Sequence, residues 1–164
     1  MPRRRLNPAH WGRATVVAAL LLAPSVASAS HYRLEDVTFL SPEVQEGATR
    51  FGFIDTGELL RNLLTVEQRL ALAGSMGVPE AELRQVAKVC ELIQIDGVGP
   101  KAARLLQAAG VTSVADLAKR DPAALRDLLV AANAREAITQ VDPSPEHVQA
   151  WVAGAARAAF HVTD

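Results

Sequence analysis

The stretch whose residue types and spacing best suit chemistry is Ile95-Asp96-Gly97-Val98-Gly99-Pro100-Lys101-Ala102-Ala103, and the chemistry it suits is phosphate binding. Gly97 and Gly99 permit positive φ in a tight turn, and their missing side chains let another backbone approach. Val98 between them is a plug for the core. Pro100 opens a helix at its first turn, where the absent N–H costs nothing, and Ala102 and Ala103 let two helices pack closely. Such a turn sets the N–H groups of Gly97, Gly99 and Lys101 at a helix N-terminus, a geometry suited to a phosphate oxygen. Lys101 and Arg104 add positive charge. The candidate phosphate- or DNA-binding residues are therefore Gly97, Val98, Gly99, Lys101 and Arg104. The same residues also make the tightest connection between two helices, with Lys101 and Arg104 merely solvated; a cation on the turn carbonyls is a third use.

Other constellations carry less. His147 and Trp151 lie one helical turn apart, which reads as a core tryptophan bordered by a histidine. His31 and His161 sit far from any partner in sequence, and no His, Cys or acid group has metal-ligand spacing. Glu80, Glu82 and Arg84 read as a solvated helix start. Lys119, Arg120 and Arg126 are interleaved with Asp116, Asp121 and Asp127, which cancels a basic face. No nucleophile elbow, P-loop or paired-carboxylate pattern is present, so neither a catalytic residue nor a cofactor is expected. Cys90, the one cysteine, cannot form an intramolecular disulfide and falls on an apolar helix, where it reads as a small hydrophobe in the core, with an intermolecular disulfide as the alternative.

Charge limits the partners. Arg3, Arg4, Arg5 and Arg13 precede an apolar run over residues 14–23, and Ala27-Ser28-Ala29 supplies small residues for cleavage. This pattern predicts an export signal over residues 1–29, because about ten apolar residues fall short of the roughly 20 that span a bilayer. Localisation is then periplasmic or extracellular. Without those four arginines the chain has 13 Lys+Arg against 18 Asp+Glu, a formal net of −5, and both halves are acidic. Nucleic-acid binding normally rests on a basic footprint, so any phosphate site must be local.

Stepping outward from the turn, the sequence predicts an all-α domain. An extended arm spans 30–40. Ser41-Pro42-Glu43 starts a helix that ends at Gly52. A second helix covers 56–64, and Thr65 with Gln68 forms a capping box for a third over 66–73, broken by Gly74-Ser75-Met76-Gly77. Pro79 opens a longer helix to Ile93 with Leu83, Val86, Ala87, Cys90 and Ile93 as its stripe. Helices follow over 100–109, 113–119, 122–133 and 145–160. Residues 41–94 and 95–164 then form two units. With an offset of 58, Pro42 falls on Pro100, Gly52 on Gly110 and Leu59 on Leu117; later, Val86 matches Val152. Two such units are expected to share one core, since each alone buries little apolar surface.

The turn at 95–99 resembles the helix-hairpin-helix motif, which holds DNA backbones without reading sequence. The wider chain, from about residue 42 to 159, resembles a bacterial family of tandem helix-hairpin-helix domains known as a domain of unknown function. The features that carry the likeness are Cys90-Glu91-Leu92, Gly97-Val98-Gly99, Ala109-Gly110-Val111, the run from Leu117 to Pro122, Asn133, and Pro145 followed by Trp151. In the first unit the matching position reads Phe39-Leu40-Ser41-Pro42, with no Gly-x-Gly, so that unit is degenerate. The expected function is an exported, non-catalytic binding module with a protein partner or structural role in the cell envelope; weak, sequence-independent DNA-backbone binding through Gly97-Val98-Gly99 is the alternative.

Overall fold

The computed structural model describes residues 31–159 and 162–163; the expected export signal at 1–29 and the expected helix end at Phe160 lie outside the described residues. Among the described residues eight α-helices follow one another: α1 (Pro42–Arg50), α2 (Thr56–Arg61), α3 (Val66–Met76), α4 (Glu80–Ile93), α5 (Pro100–Ala108), α6 (Val114–Leu117), α7 (Pro122–Glu136) and α8 (Pro145–Ala155). Extended pairing among the described residues is limited to an isolated antiparallel bridge, Arg33 with Asp55.

Local chemistry explains most boundaries. Ser41, Asp55, Thr65, Ser113, Asp121 and Ser144 each accept a hydrogen bond from a first-turn amide, satisfying donors that a helix start leaves orphaned. Thr65 and Gln68 complete the capping box in both directions. Five expectations are corrected. Helix α3 continues through Gly74, Ser75 and Met76, because one glycine costs a helix only about 1 kcal/mol; Gly77, at φ +75°, ends it. Helix α2 stops at Arg61, where the Asn62 and Leu63 amides turn to carbonyls three residues back. Helix α7 runs on to Glu136 and ends at Ala137, at φ +49°, while α8 stops at Ala155. The arm is not simply extended: Leu34–Asp36 forms a 3-10 turn, flanked by pairing of Tyr32 and Leu34 with Thr56 and Ile54.

The internal repeat extends to individual hydrogen bonds. Helix α1 ends when the Phe53 amide reaches the Ala48 carbonyl and the Gly52 amide reaches Thr49. Helix α5 ends with Val111 on Leu106 and Gly110 on Gln107, the same bonds 58 residues later. Both are Schellman closures, which need a left-handed residue; Gly52 and Gly110 supply it at φ +78° and +86°. Glu58 accepts from the Ile54 amide as Asp116 does from Thr112. In the first unit α1 packs on α3 and both α2 and α3 on α4; in the second, α5 packs on α7 and both α6 and α7 on α8. The later alignment shifts by one residue. Leu83, Val86 and Cys90 of α4 match the buried Val148, Trp151 and Ala155 of α8, so Val86 corresponds to Trp151, not Val152. The prolines caused the misalignment: Pro79 caps α4 from outside, whereas Pro145 is the first residue of α8.

Two apolar clusters form instead of one shared core. The first gathers Val44, Leu59, Leu63, Met76 and Leu83; the second gathers Leu105, Leu106, Leu117, Leu129 and Trp151. Helix α4 separates and joins them, giving Val86, Ala87 and Cys90 to the first and Val89, Leu92 and Ile93 to the second. A helix apolar beyond one stripe is buried on more than one side, and the run from Val89 to Ile93 is buried at every residue.

The clusters exchange volume at equivalent sites. Gly47 of α1 faces Met76, whose Cγ lies 2.5 Å from where a Cβ on Gly47 would sit; the matching residues in the second unit are Leu105 and, with α3 and α7 aligned on their N-caps Thr65 and Asp121, Ala132, both buried. We therefore expect Gly47→Ala to destabilise the chain by about 1 kcal/mol, because overpacking outweighs the gain in helix propensity. In a Met76→Ala background the same substitution should turn stabilising, by about 0.5–1 kcal/mol. Urea unfolding of the four chains checks this. The same sign in both backgrounds contradicts the volume exchange.

Candidate functional site

The turn between α4 and α5 begins where the Ile95 amide bonds the Leu92 carbonyl. The Val98 amide then donates to the Ile95 carbonyl at 2.9 Å, closing a four-residue turn with Gly97 in its third place at φ +78°. A turn closed this way favours glycine there, because L-residues rarely adopt positive φ. Val98 is buried in the second cluster, as its apolar character predicts, and its N–H is taken up in closing the turn. Gly99 follows as the N-cap of α5 and the Ala103 amide reaches its carbonyl. Lys101 and Arg104 are both exposed on α5, with Ala103 buried between them.

The reason for Gly99 differs from the expected one. Its φ is −83°, open to any residue, so no left-handed backbone is involved. Its missing side chain makes room for the Tyr32 hydroxyl, 3.1 Å from where a Cβ would sit. Gly97 likewise faces a ring: Trp151 Nε1 lies 3.3 Å from its would-be Cβ. What approaches the turn is therefore two aromatic side chains of the same molecule, one from the arm and one from α8, and not another backbone. Trp151 is buried in the second cluster, and His147 stacks on it from an exposed position at 6.4 Å between ring centres.

Neighbouring clamps fix the surroundings. Asn133 accepts from the Thr139 amide at 2.8 Å and donates to the Thr139 carbonyl and to Asp142. It thereby holds the loop after α7 against the open side of Trp151, leaving a groove of about 330 Å³ bordered by Ala102, Leu105, Val141, Pro143, His147 and Trp151. Arg120 grips Asp116 through both carboxylate oxygens at 2.9 Å and reaches the Gly110 carbonyl at 2.8 Å, tying the end of α5 to α6. The Arg120 hydrogen bond holds the Asp116 carboxyl below its ordinary range.

Sequence reasoning missed one ionic centre. Arg69 of α3 is fully buried, its Nε 2.7 Å from Glu80 and its Nη1 bonded to the Leu63 and Leu64 carbonyls at 3.0 and 3.2 Å. The expectation that Glu80 and Glu82 merely face solvent is corrected: Glu80 pairs with Arg69, and Glu82 accepts from the Ser41 hydroxyl. A signal was available, since Arg69, Ala73 and Met76 share helical spacing and are the buried residues of α3. The apolar Leu70 beside Arg69 is the exposed one, which reverses the usual reading of that pair.

Cys90 lies in the first cluster, and burial pushes its thiol up to about 12. A folded-state value above the unfolded one, about 8.5, favours the native chain while the thiol stays protonated. That stability is complete below about pH 8.5 and is lost as pH rises toward 12, by up to about 1.4 kcal/mol per pH unit. Unfolding the parent and Cys90→Ala in urea at pH 8 and 10 isolates the effect. The parent should lose about 2 kcal/mol more than the variant; equal losses contradict it.

The comparisons with known proteins bear on the same residues. Residues 39–158 match the family model described as Domain of unknown function (DUF4332). The chain belongs to that family. The matched segment runs from Phe39, just before α1, to Ala158, just beyond α8, and so takes in both four-helix units and the turn between them. No curated protein and no solved structure matches the chain. In this DUF4332 chain no helix among the described residues is long and apolar enough to cross a membrane.

Proposed function

We propose that the chain is an exported, non-catalytic helix-hairpin-helix module whose role in the cell envelope is structural or protein-binding. The observation that carries this reading is the occupation of the hairpin from within: Tyr32 lies against Gly99 and Trp151 against Gly97. Both glycines thus have an intramolecular reason, and the hairpin works as the joint between two repeat units. An exposed apolar patch supports a protein partner. Phe51 is 47% and Ile54 68% exposed, and Phe53 stacks on Phe51 at 6.0 Å. At the corresponding places of the second unit stand Ala109, the buried Val111 and Thr112, so the patch is a property of the first unit alone. Export rests on the basic, apolar and small-residue order of residues 1–29.

The exposure of Lys101 and Arg104 beside Gly99 favours a second reading, weak binding of a nucleic-acid backbone. A photo-crosslinking residue at position 54, placed in the full chain in cells, tests the first. A discrete adduct in the envelope fraction, missing when the probe sits at the exposed Glu136, is expected. The same products from both positions, or none from position 54, contradict a protein-binding patch there.

A further inference from the structure

Arg69 is a buried cation whose bonds extend to a distant part of the chain. Its Nη2 donates to the Thr163 carbonyl at 2.7 Å. Thr163 in turn donates twice to the Leu64 carbonyl, through its amide and its hydroxyl, each at 3.1 Å. The Val162 amide donates to the buried Glu91 carboxylate at 3.1 Å, and the Val162 side chain packs on the first cluster. These residues follow α8 of the second unit, yet each of these partners belongs to the first.

We propose that Arg69, Glu91 and the Leu64 carbonyl form a socket for an extended peptide segment, in which residues 162–163 are the resident occupant. Three of the four bonds engage main-chain groups of the occupant, as in recognition of extended peptides by backbone pairing. Two of the four are charge-assisted and come from buried side chains, where such bonds are strongest. The socket is also preorganised. Arg69 is held by Glu80, Leu63 and Leu64 independently of the tail, so little ordering remains to oppose binding. The ligand class is an extended segment with a β-branched residue followed by threonine. The resident copy excludes a competitor through its high effective concentration, in the millimolar range for a short tether. The socket lies on α3, α4 and Leu64, two residues before α3, separate from the hairpin, and its test is independent of the hairpin's role.

The experiment keeps the full chain and evicts the occupant. Val162→Pro with Thr163→Pro removes both amide donors without touching the socket. A fluorescent peptide of residues 158–164 is then titrated into the double-proline chain and into the parent, with anisotropy as the readout. We expect saturable binding to the double-proline chain and at least ten-fold weaker binding to the parent. Adding Glu91→Gln to the double-proline chain should weaken binding about ten-fold, the loss of one charge-assisted bond. No binding to the double-proline chain, or equal binding to both, overturns the socket. In the parent, amide exchange at Val162 and Thr163 should be slowed; exchange at free-peptide rates overturns their role as occupant.

Discussion

Trp151→Ala is expected to lower the unfolding free energy by about 3–5 kcal/mol, the usual cost of removing a buried large aromatic. The indole fills the second cluster between α8 and the turn, and Gly97, held at positive φ, leaves room for the ring. Truncation would leave the turn unsupported and merge the vacated volume with the groove beside Ala102 and Leu105. Water can enter from that open side, which places the loss toward the lower end of the range. Trp151→Phe keeps most of the apolar contact and should cost about 1–2 kcal/mol. Urea unfolding gives both values, and amide exchange at Val98, whose N–H closes the turn onto Ile95, should accelerate more in the alanine variant. A loss below about 1 kcal/mol for Trp151→Ala would mean that the turn holds its shape without the ring.

Arg69→Met should cost about 3 kcal/mol, at the lower end of the range for breaking a buried ion pair from one side. The guanidinium neutralises Glu80 and satisfies the carbonyls of Leu63, Leu64 and Thr163. Methionine fills a similar volume but donates nothing. Glu80 keeps some contact with solvent, at 21% side-chain exposure, and recovers part of its hydration, which is why the estimate is not higher. At this chain length the loss corresponds to a fall in Tm of roughly 10 °C. Glu80→Gln leaves every carbonyl with its donor and should cost only about 1 kcal/mol. Leu70→Ala, one residue away but exposed, should stay within about 0.5 kcal/mol. Equal effects from Arg69→Met and Leu70→Ala in thermal unfolding would remove Arg69 from the interior.

Much of this architecture was legible from short-range chemistry. Ser41, Thr65 with Gln68, Ser113, Asp121 and Ser144 announce helix starts because the cap and its amide lie within three residues of each other. The 58-residue offset was legible because Gly52 and Gly110 close their helices through the same two bonds. The errors came where a partner lies far along the chain. Gly99 has an ordinary backbone, and only the arm's Tyr32 explains it; no local signal connects residues 32 and 99. Arg69 has a residue's normal polarity for a surface, and its burial follows from carbonyls and a carboxylate that the fold brings together. The expectation of a single core failed because α4 is apolar on two faces in its second half, a pattern that periodicity alone assigns to one stripe. Val98 and Trp151 were legible as core by type, while the ring beside Gly97 required the packing of α8 against the turn.

On the proposed reading, the turn between α4 and α5 is an internal joint and not a clamp for a nucleic-acid backbone. Its most direct test is the anisotropy of labelled duplex and single-stranded DNA titrated with the chain from residue 30 onward at ~50 mM salt, where backbone contacts are strong. We expect no saturable binding to either DNA, and the same flat response from Lys101→Glu with Arg104→Glu. Saturable binding that weakens steeply with salt and disappears in that double variant would contradict the claim and assign Gly97, Val98, Gly99, Lys101 and Arg104 to a phosphate site.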